Sequence, residues 1–174
     1  MSQLSEALFS TPSMSAAFAP TAHVRAMLAF EAALAQAEAR GVELLLHCGD
    51  IEDADTVWLF PGKTHFVFGN CDTERTSLRQ AMYGVGATLH EPFGRLELDG
   101  VKLAFVHGDD ARLLRQLEES GEFEYVFHGH THKRRDEQNG TTRVINPGAL
   151  HRAAVKTFAV LDLASGELET VAVG

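Results

Sequence analysis

Four apolar segments of this chain run directly into polar, glycine-bearing loops: VELLLHCGD, THFVFGNCD, VKLAFVHGDD and YVFHGHTH. A continuous apolar run such as the first reads as a strand buried on both faces, so it needs a packed layer on each side. Ligand sites in layered α/β folds lie beyond the carboxyl ends of strands. Asp50, Asn70, His107 and the His130/His132 pair therefore become candidates for one shared site.

The intervening sequence is consistent with that frame. Residues 24–40 place Met27, Phe30, Leu34 and Ala37 on one helical face, with alanine abundant and Gly41 as the stop. Shorter helices are predicted over 54–59, 74–83 and 110–119. Asp99-Gly100 and Asn139-Gly140 mark hairpin turns, and TFAVLDL and ELETVAV close the chain around Ser165-Gly166. Early β–α alternation followed by hairpins predicts α/β layers, with two sheets face to face and helices outside. Residues 1–21 lack a sustained period and read as an irregular segment, with one short strand at 7–10; residues 22–174 read as one domain.

The chain has 174 residues, enough for one real core. Its formal net charge of −9 gives no general attraction for nucleic acid or anionic lipid. No run of 18 apolar residues occurs, and the start lacks a signal-peptide pattern. With only Cys48 and Cys71, a disulfide scaffold is excluded and the reading is a cytoplasmic protein.

An aspartate can bridge two cations, and an asparagine carbonyl with imidazoles completes a mixed N/O shell. That shell suits manganese, iron, nickel, zinc or cobalt better than calcium. Two such ions clamp a phosphoryl group and activate water. Each residue alone also has a plainer role, as a turn former or a strand-end histidine; the ordered set carries the signal.

HCGD, FGNCD, VHGDD, GHTH and INPGAL, taken together, resemble the calcineurin-like metallophosphoesterase superfamily, especially its small bacterial and archaeal phosphodiesterases. The resemblance spans residues 24–172. It implies a four-layer α/β/β/α sandwich and a binuclear centre, with manganese foremost and nickel, iron, zinc or magnesium as alternatives. Asp50 would bridge the metals, Asn70, His107 and His130 would complete the second site, and His132 would serve the first. Asn146 would line the active-site wall. His128 is read as an inward-packed strand residue. Lys133, Arg134 and Arg135 follow the metal loop, and Arg134 is the candidate for a substrate phosphate; the rival reading is a solvated strand edge.

Two departures from the family pattern stand out. Cys71 occupies the place of a proton-donating histidine that many members carry after the asparagine. The family's opening Asp-x-His, which supplies ligands to the first metal, should lie near residues 21–24. His23 is almost in register there, but Thr21 replaces the aspartate and no apolar strand is visible before it; residues 9–13 offer only Thr11 and Ser13. The expectation is a firm second metal and a weak or absent first.

The functional expectation is a metal-dependent phosphodiesterase acting on a small phosphate ester, with Asp50, Asn70, His107 and His130 as its working set. The alternative is a degenerate member serving as a protein-binding scaffold, which the missing Asp-x-His favours and the intact remainder opposes. Substrate, metal and oligomeric state, a homo-oligomer included, are left open.

Overall fold

The computed structural model describes the backbone of residues 15–18 and all of residues 27–174. The chain order is β1 (Ser15–Phe18), α1 (Met27–Ala39), β2 (Leu44–His47), α2 (Ala54–Val57), β3 (Thr64–Val67), α3 (Arg75–Gly84) and β4 (Thr88–His90). It continues with β5 (Gly94–Leu98), β6 (Val101–Val106), α4 (Ala111–Glu119), β7 (Tyr125–His128), β8 (Arg135–Asn139), β9 (Thr142–Asn146), β10 (Lys156–Asp162) and β11 (Leu168–Val173).

These strands form a six-stranded sheet in the order β11-β10-β1-β2-β3-β4 and a five-stranded sheet in the order β5-β6-β7-β9-β8. Strands β1 to β4 are mutually parallel, as are β6, β7 and β9; hairpin partners add antiparallel edges to both sheets. The fold is thus α/β, as the alternation predicts.

Side-chain alternation builds the layers, because successive strand residues face opposite sides. Along β10, Phe158 and Val160 pack with Phe30, Ala33 and Ala37 of α1 and with Leu78 and Met82 of α3. Ala159 and Leu161 point the other way and meet Leu103, Phe105, Phe127 and Ile145 of the second sheet. On that sheet's outer face, Ala104, Val106 and Val126 pack against Leu117 of α4. Helices, sheet, sheet and helix therefore enclose three apolar layers.

The amino-terminal reading needs one correction. A strand does precede Thr21: β1 sits inside the six-stranded sheet, pairing in parallel with β2 through Ala16–Leu44, Ala17–Leu45 and Phe18–Leu46, and antiparallel with β10. Interior pairing, not side-chain hydrophobicity, makes a strand of Ser-Ala-Ala-Phe. The predicted strand at 7–10 lies outside the described residues, as does His23. No helix among the described residues is long and apolar enough to cross a membrane.

Candidate metal centre

The carboxyl ends of β2, β3, β6 and β7 bring Asp50, Asn70, His107 and His130 together. His107 is the hub. It is almost wholly buried, and its Nδ1 lies 2.7 Å from the carbonyl oxygen of Cys48. A carbonyl only accepts, so Nδ1 carries the proton and the Nε2 lone pair of the neutral ring faces the site. Around Nε2 stand Asn70 Oδ1 at 3.0 Å, Asp50 Oδ2 at 3.3 Å and His130 Nδ1 at 3.2 Å.

Oxygen acceptors facing a lone pair at these distances need a positive charge between them. A proton on His107 is one way, and the contact has electrostatic support for it. Burial opposes a charged imidazole, but the hydrogen bond and charge of Asp50 outweigh burial and raise the His107 pKa. Burial likewise opposes the Asp50 carboxylate, while His107 and the Cys71 N–H overcome it and lower the pKa. A divalent cation is the other way, and the donors fit one chemically: a carboxylate, an amide oxygen and two imidazoles make a mixed N/O set. Drawn together by hydrogen bonds, these side chains do not enclose a ready cation cage; among the described residues no three His, Cys, Asp or Glu side chains are so placed.

The backbone at the site departs from ordinary geometry. Asp50, His130 and His132 have φ of 56°, 60° and 56°, a left-handed region that non-glycine residues rarely occupy. Such strain persists only where surrounding contacts enforce it. For Asp50 those contacts come from Asp72, whose buried carboxylate accepts N–H bonds from Gly69 at 2.7 Å, Asp50 at 2.9 Å and Glu52 at 2.7 Å. Gly69 is required by space: a Cβ there would stand 2.0 Å from Asp50 Oδ1. Asp72 is the positioning residue that sequence reading overlooked, although it is in plain view in FGNCD.

Asn70 and His130 are exposed whereas Asp50 and His107 are buried, so the cluster opens to solvent on one side. His132 is half-buried on the same loop. His128 faces inward as predicted, and burial, the leading cause, pushes its pKa to about 4.

Cys71 donates its backbone N–H to Asp50 Oδ1 at 2.8 Å. Burial and the Asp50 charge raise its thiol pKa, which keeps it protonated and argues against a thiolate nucleophile.

Two further candidates from the sequence, Asn146 and the basic run after the loop, have defined surroundings. Asn146 does not face an open wall. It is buried, its Nδ2 donates to the Gly129 carbonyl at 2.8 Å and to Thr131 Oγ1 at 3.1 Å, and its Oδ1 accepts from Gly148 N at 3.0 Å. These bonds clamp the His130 loop to the Asn146-Pro147-Gly148 turn and occupy the amide. Of the three basic residues after the loop, Arg135 is engaged by Glu118 and Glu137, while Arg134 borders a cavity that His132 also lines.

Comparison with known proteins agrees with this fold. Phosphodiesterase MJ0936 of Methanocaldococcus jannaschii is 28% identical over 136 residues, covering 75% of this chain and 82% of that protein. The solved structure of an archaeal phosphodiesterase superposes with a TM-score of 0.84 at 24% identity, over 92% of this chain and 100% of the other. YfcE, a phosphoesterase from E. coli, gives 0.67 at 21% identity, over 92% and 100%. The family model for the calcineurin-like phosphoesterase superfamily domain matches residues 14–166, so β1 falls within the match, and the chain belongs to that superfamily.

Proposed function

We propose that this chain, a phosphoester hydrolase by family, is a metal-dependent phosphodiesterase whose metal centre is asymmetric. The observation that carries the reading is the convergence of Asp50 Oδ2, Asn70 Oδ1 and His130 Nδ1 on Nε2 of His107. These four residues would hold one cation, manganese foremost, with Asp50 shared toward a second. His132 and, from its place in the sequence, His23 would serve that other cation, the first metal of the family pattern, which lacks the usual carboxylate because Thr21 stands there. Bound divalent ions supply Lewis acidity toward a phosphoryl oxygen and an acidified water.

The chain's own residues do the rest. Asp50 contributes the buried negative charge that neutralises the cations, and His107, fixed through Cys48, presents one defined lone pair. Asn70 and His130 form the exposed lip where an ester can approach. Cys71 has no proton-donating role, so esters with good leaving groups are the favoured substrates. The net charge of −9 opposes nucleic acid as a partner and favours a small ester; the two free cysteines fit a cytoplasmic setting.

The scaffold alternative is weakly compatible with the likeness to solved Vps29 structures, which at 16% and 18% identity is a likeness of fold alone. The large exposed apolar side chains described are Leu28 on α1, Trp58 at the end of α2, Tyr83 on α3 and Val155 before β10.

The test is elemental analysis after manganese loading and desalting, with hydrolysis of bis(p-nitrophenyl) phosphate followed on the same sample. Asp50→Asn and His130→Ala should each lose metal and turnover together. Unchanged turnover in both variants would assign the activity to a contaminant.

A further inference from the structure

His132 borders a cavity of about 460 Å³ that is also lined by Lys133, Arg134, Gly148, Arg152 and Thr157. Among the described residues, Asp50, Asn70, His107 and His130 do not line it, and neither does any other Asp or Glu. In a chain with a formal charge of −9, a pocket with three cations and no carboxylate is a local inversion of sign. The three cations are also uncommitted. Arg135, next in sequence, is paired with Glu118 and Glu137, but among the described residues no carboxylate pairs with Lys133, Arg134 or Arg152.

The stem of Arg134 is packed at the base of the pocket. A Cβ on Gly148 would stand 3.2 Å from Arg134 Cγ and 2.2 Å from Thr157 Oγ1, so the arginine stem lies along the glycine turn that Asn146 clamps. Arg152 stands at φ 53°, a conformation kept only under local constraint.

We infer that this pocket is a second-anion subsite, and that the substrates of this chain are phosphoesters carrying a further phosphate group. The inference rests on the phosphodiesterase reading: the scissile phosphate would sit over the four donors, and the additional phosphate would enter the pocket across His132. Guanidinium groups suit this role because their donor forks match phosphate oxygens. A phosphate seated among three cations in a concave, carboxylate-free site gains attraction that is reduced by salt.

Isothermal titration with adenosine 3′,5′-bisphosphate and adenosine 5′-monophosphate, on metal-free and manganese-loaded protein, tests the inference alongside turnover of bis(p-nitrophenyl) phosphate. The bisphosphate should bind about tenfold more tightly in both forms, the increment expected of one charge-assisted contact set. That preference should shrink in high salt. It should collapse in Lys133→Gln and Arg152→Gln and be largely retained in Arg152→Lys. Lys133 is exposed on a loop, so its variant keeps the test valid if an Arg152 variant fails to fold. Equal affinity for the two nucleotides with normal turnover would overturn the subsite and leave the phosphodiesterase reading standing. A strong preference with no turnover of the aryl diester would overturn the phosphodiesterase reading, and the pocket's role as a substrate subsite with it.

Discussion

The carboxylates of Asp50 and Asp72 cross-tie two loops: Asp72 accepts the backbone N–H of Asp50 at 2.9 Å, and Asp50 accepts the N–H of Cys71, the residue before Asp72, at 2.8 Å. The loop after β2 and the loop after β3 thereby fix each other, and the strained φ of Asp50 is the geometric result. One carboxylate faces the donor cluster and the other faces only backbone.

Asp72→Ala should test that division. It would leave the N–H groups of Gly69, Asp50 and Glu52 without their acceptor. Each unsatisfied buried donor costs about 1–3 kcal/mol, with water repairing part of the loss, so a net destabilisation of about 3 kcal/mol is expected. Manganese affinity should fall with it although no ligand is removed. Asp72→Asn, which keeps one acceptor oxygen, should cost less. Urea unfolding and manganese titration of both variants supply the check, and wild-type manganese affinity in Asp72→Ala would show that Asp50 is held some other way.

How much of this was legible beforehand depends on where the information resides. The four donors were visible because an apolar strand followed by a glycine and a ligand-type side chain is a local pattern. Strand β1 was not, because Ser15-Ala16-Ala17-Phe18 has little strand propensity of its own and is recruited by β2 and β10 on either side. Strand β4, at three residues, is too short to show a period. Asp72 and Asn146 were both in quoted motifs, yet their work is done on backbone groups in other loops, 22 residues away for Asp72 and 17 for Asn146. Sequence chemistry names a side chain's options, and only the loop geometry selects among them.

The proposed asymmetry of the centre yields a gain-of-function prediction. On that reading Thr21, which follows β1 in the sequence, stands at the family's aspartate position, and Thr21→Asp would restore the carboxylate that the first cation lacks. Manganese after desalting should rise from about one to about two ions per chain, and turnover of an aryl phosphodiester should rise with it, because a second cation further acidifies the attacking water. Elemental analysis settles the first half independently of activity. Unchanged metal content would mean that the aspartate position is not at residue 21.

A buried histidine should make the fold acid-sensitive. His47 is fully buried among the rings of Phe30, Phe60 and Phe66, its Nε2 has no hydrogen-bond partner among the described residues, and burial brings its pKa down to about 3. The unfolded chain takes up that proton near the ordinary histidine pKa of about 6.5. Between those values the unfolded state binds more protons than the folded one, so stability falls as pH drops below about 6.5 and is insensitive to this group above it. At pH 5 the loss from this one residue is about 2 kcal/mol. His47→Phe should reduce the difference in unfolding free energy between pH 7 and pH 5 by that amount, and taking the difference removes any constant packing cost of the larger ring. An unchanged pH dependence would mean that the imidazole is protonated in place.

Asn146 offers a test in which pH changes the sign of a hydrogen bond. Its Nδ2 is a donor to Gly129 O and Thr131 Oγ1, while its Oδ1 accepts from Gly148 N. Asn146→Asp preserves the shape and the acceptor but sets a buried carboxylate oxygen against the Gly129 carbonyl. The His128 ring, whose Nδ1 lies 3.3 Å from Asn146 Nδ2, is kept neutral at pH 8 by burial, so the buried charge raises its own pKa and destabilises the fold by about 3 kcal/mol. As pH falls, the raised pKa lets the carboxyl protonate in the folded state before the unfolded one, and the new O–H can donate where the amide did. The deficit relative to wild type should therefore shrink between pH 8 and pH 5, opposite in direction to the His47 effect, which the wild-type comparison cancels. Asn146→Ala has no proton to gain, so its deficit should hold constant over the same range. Urea unfolding of the three proteins at both pH values distinguishes these cases, and parallel behaviour of the Asp and Ala variants would show that the amide's donor bonds do not hold the His130 loop.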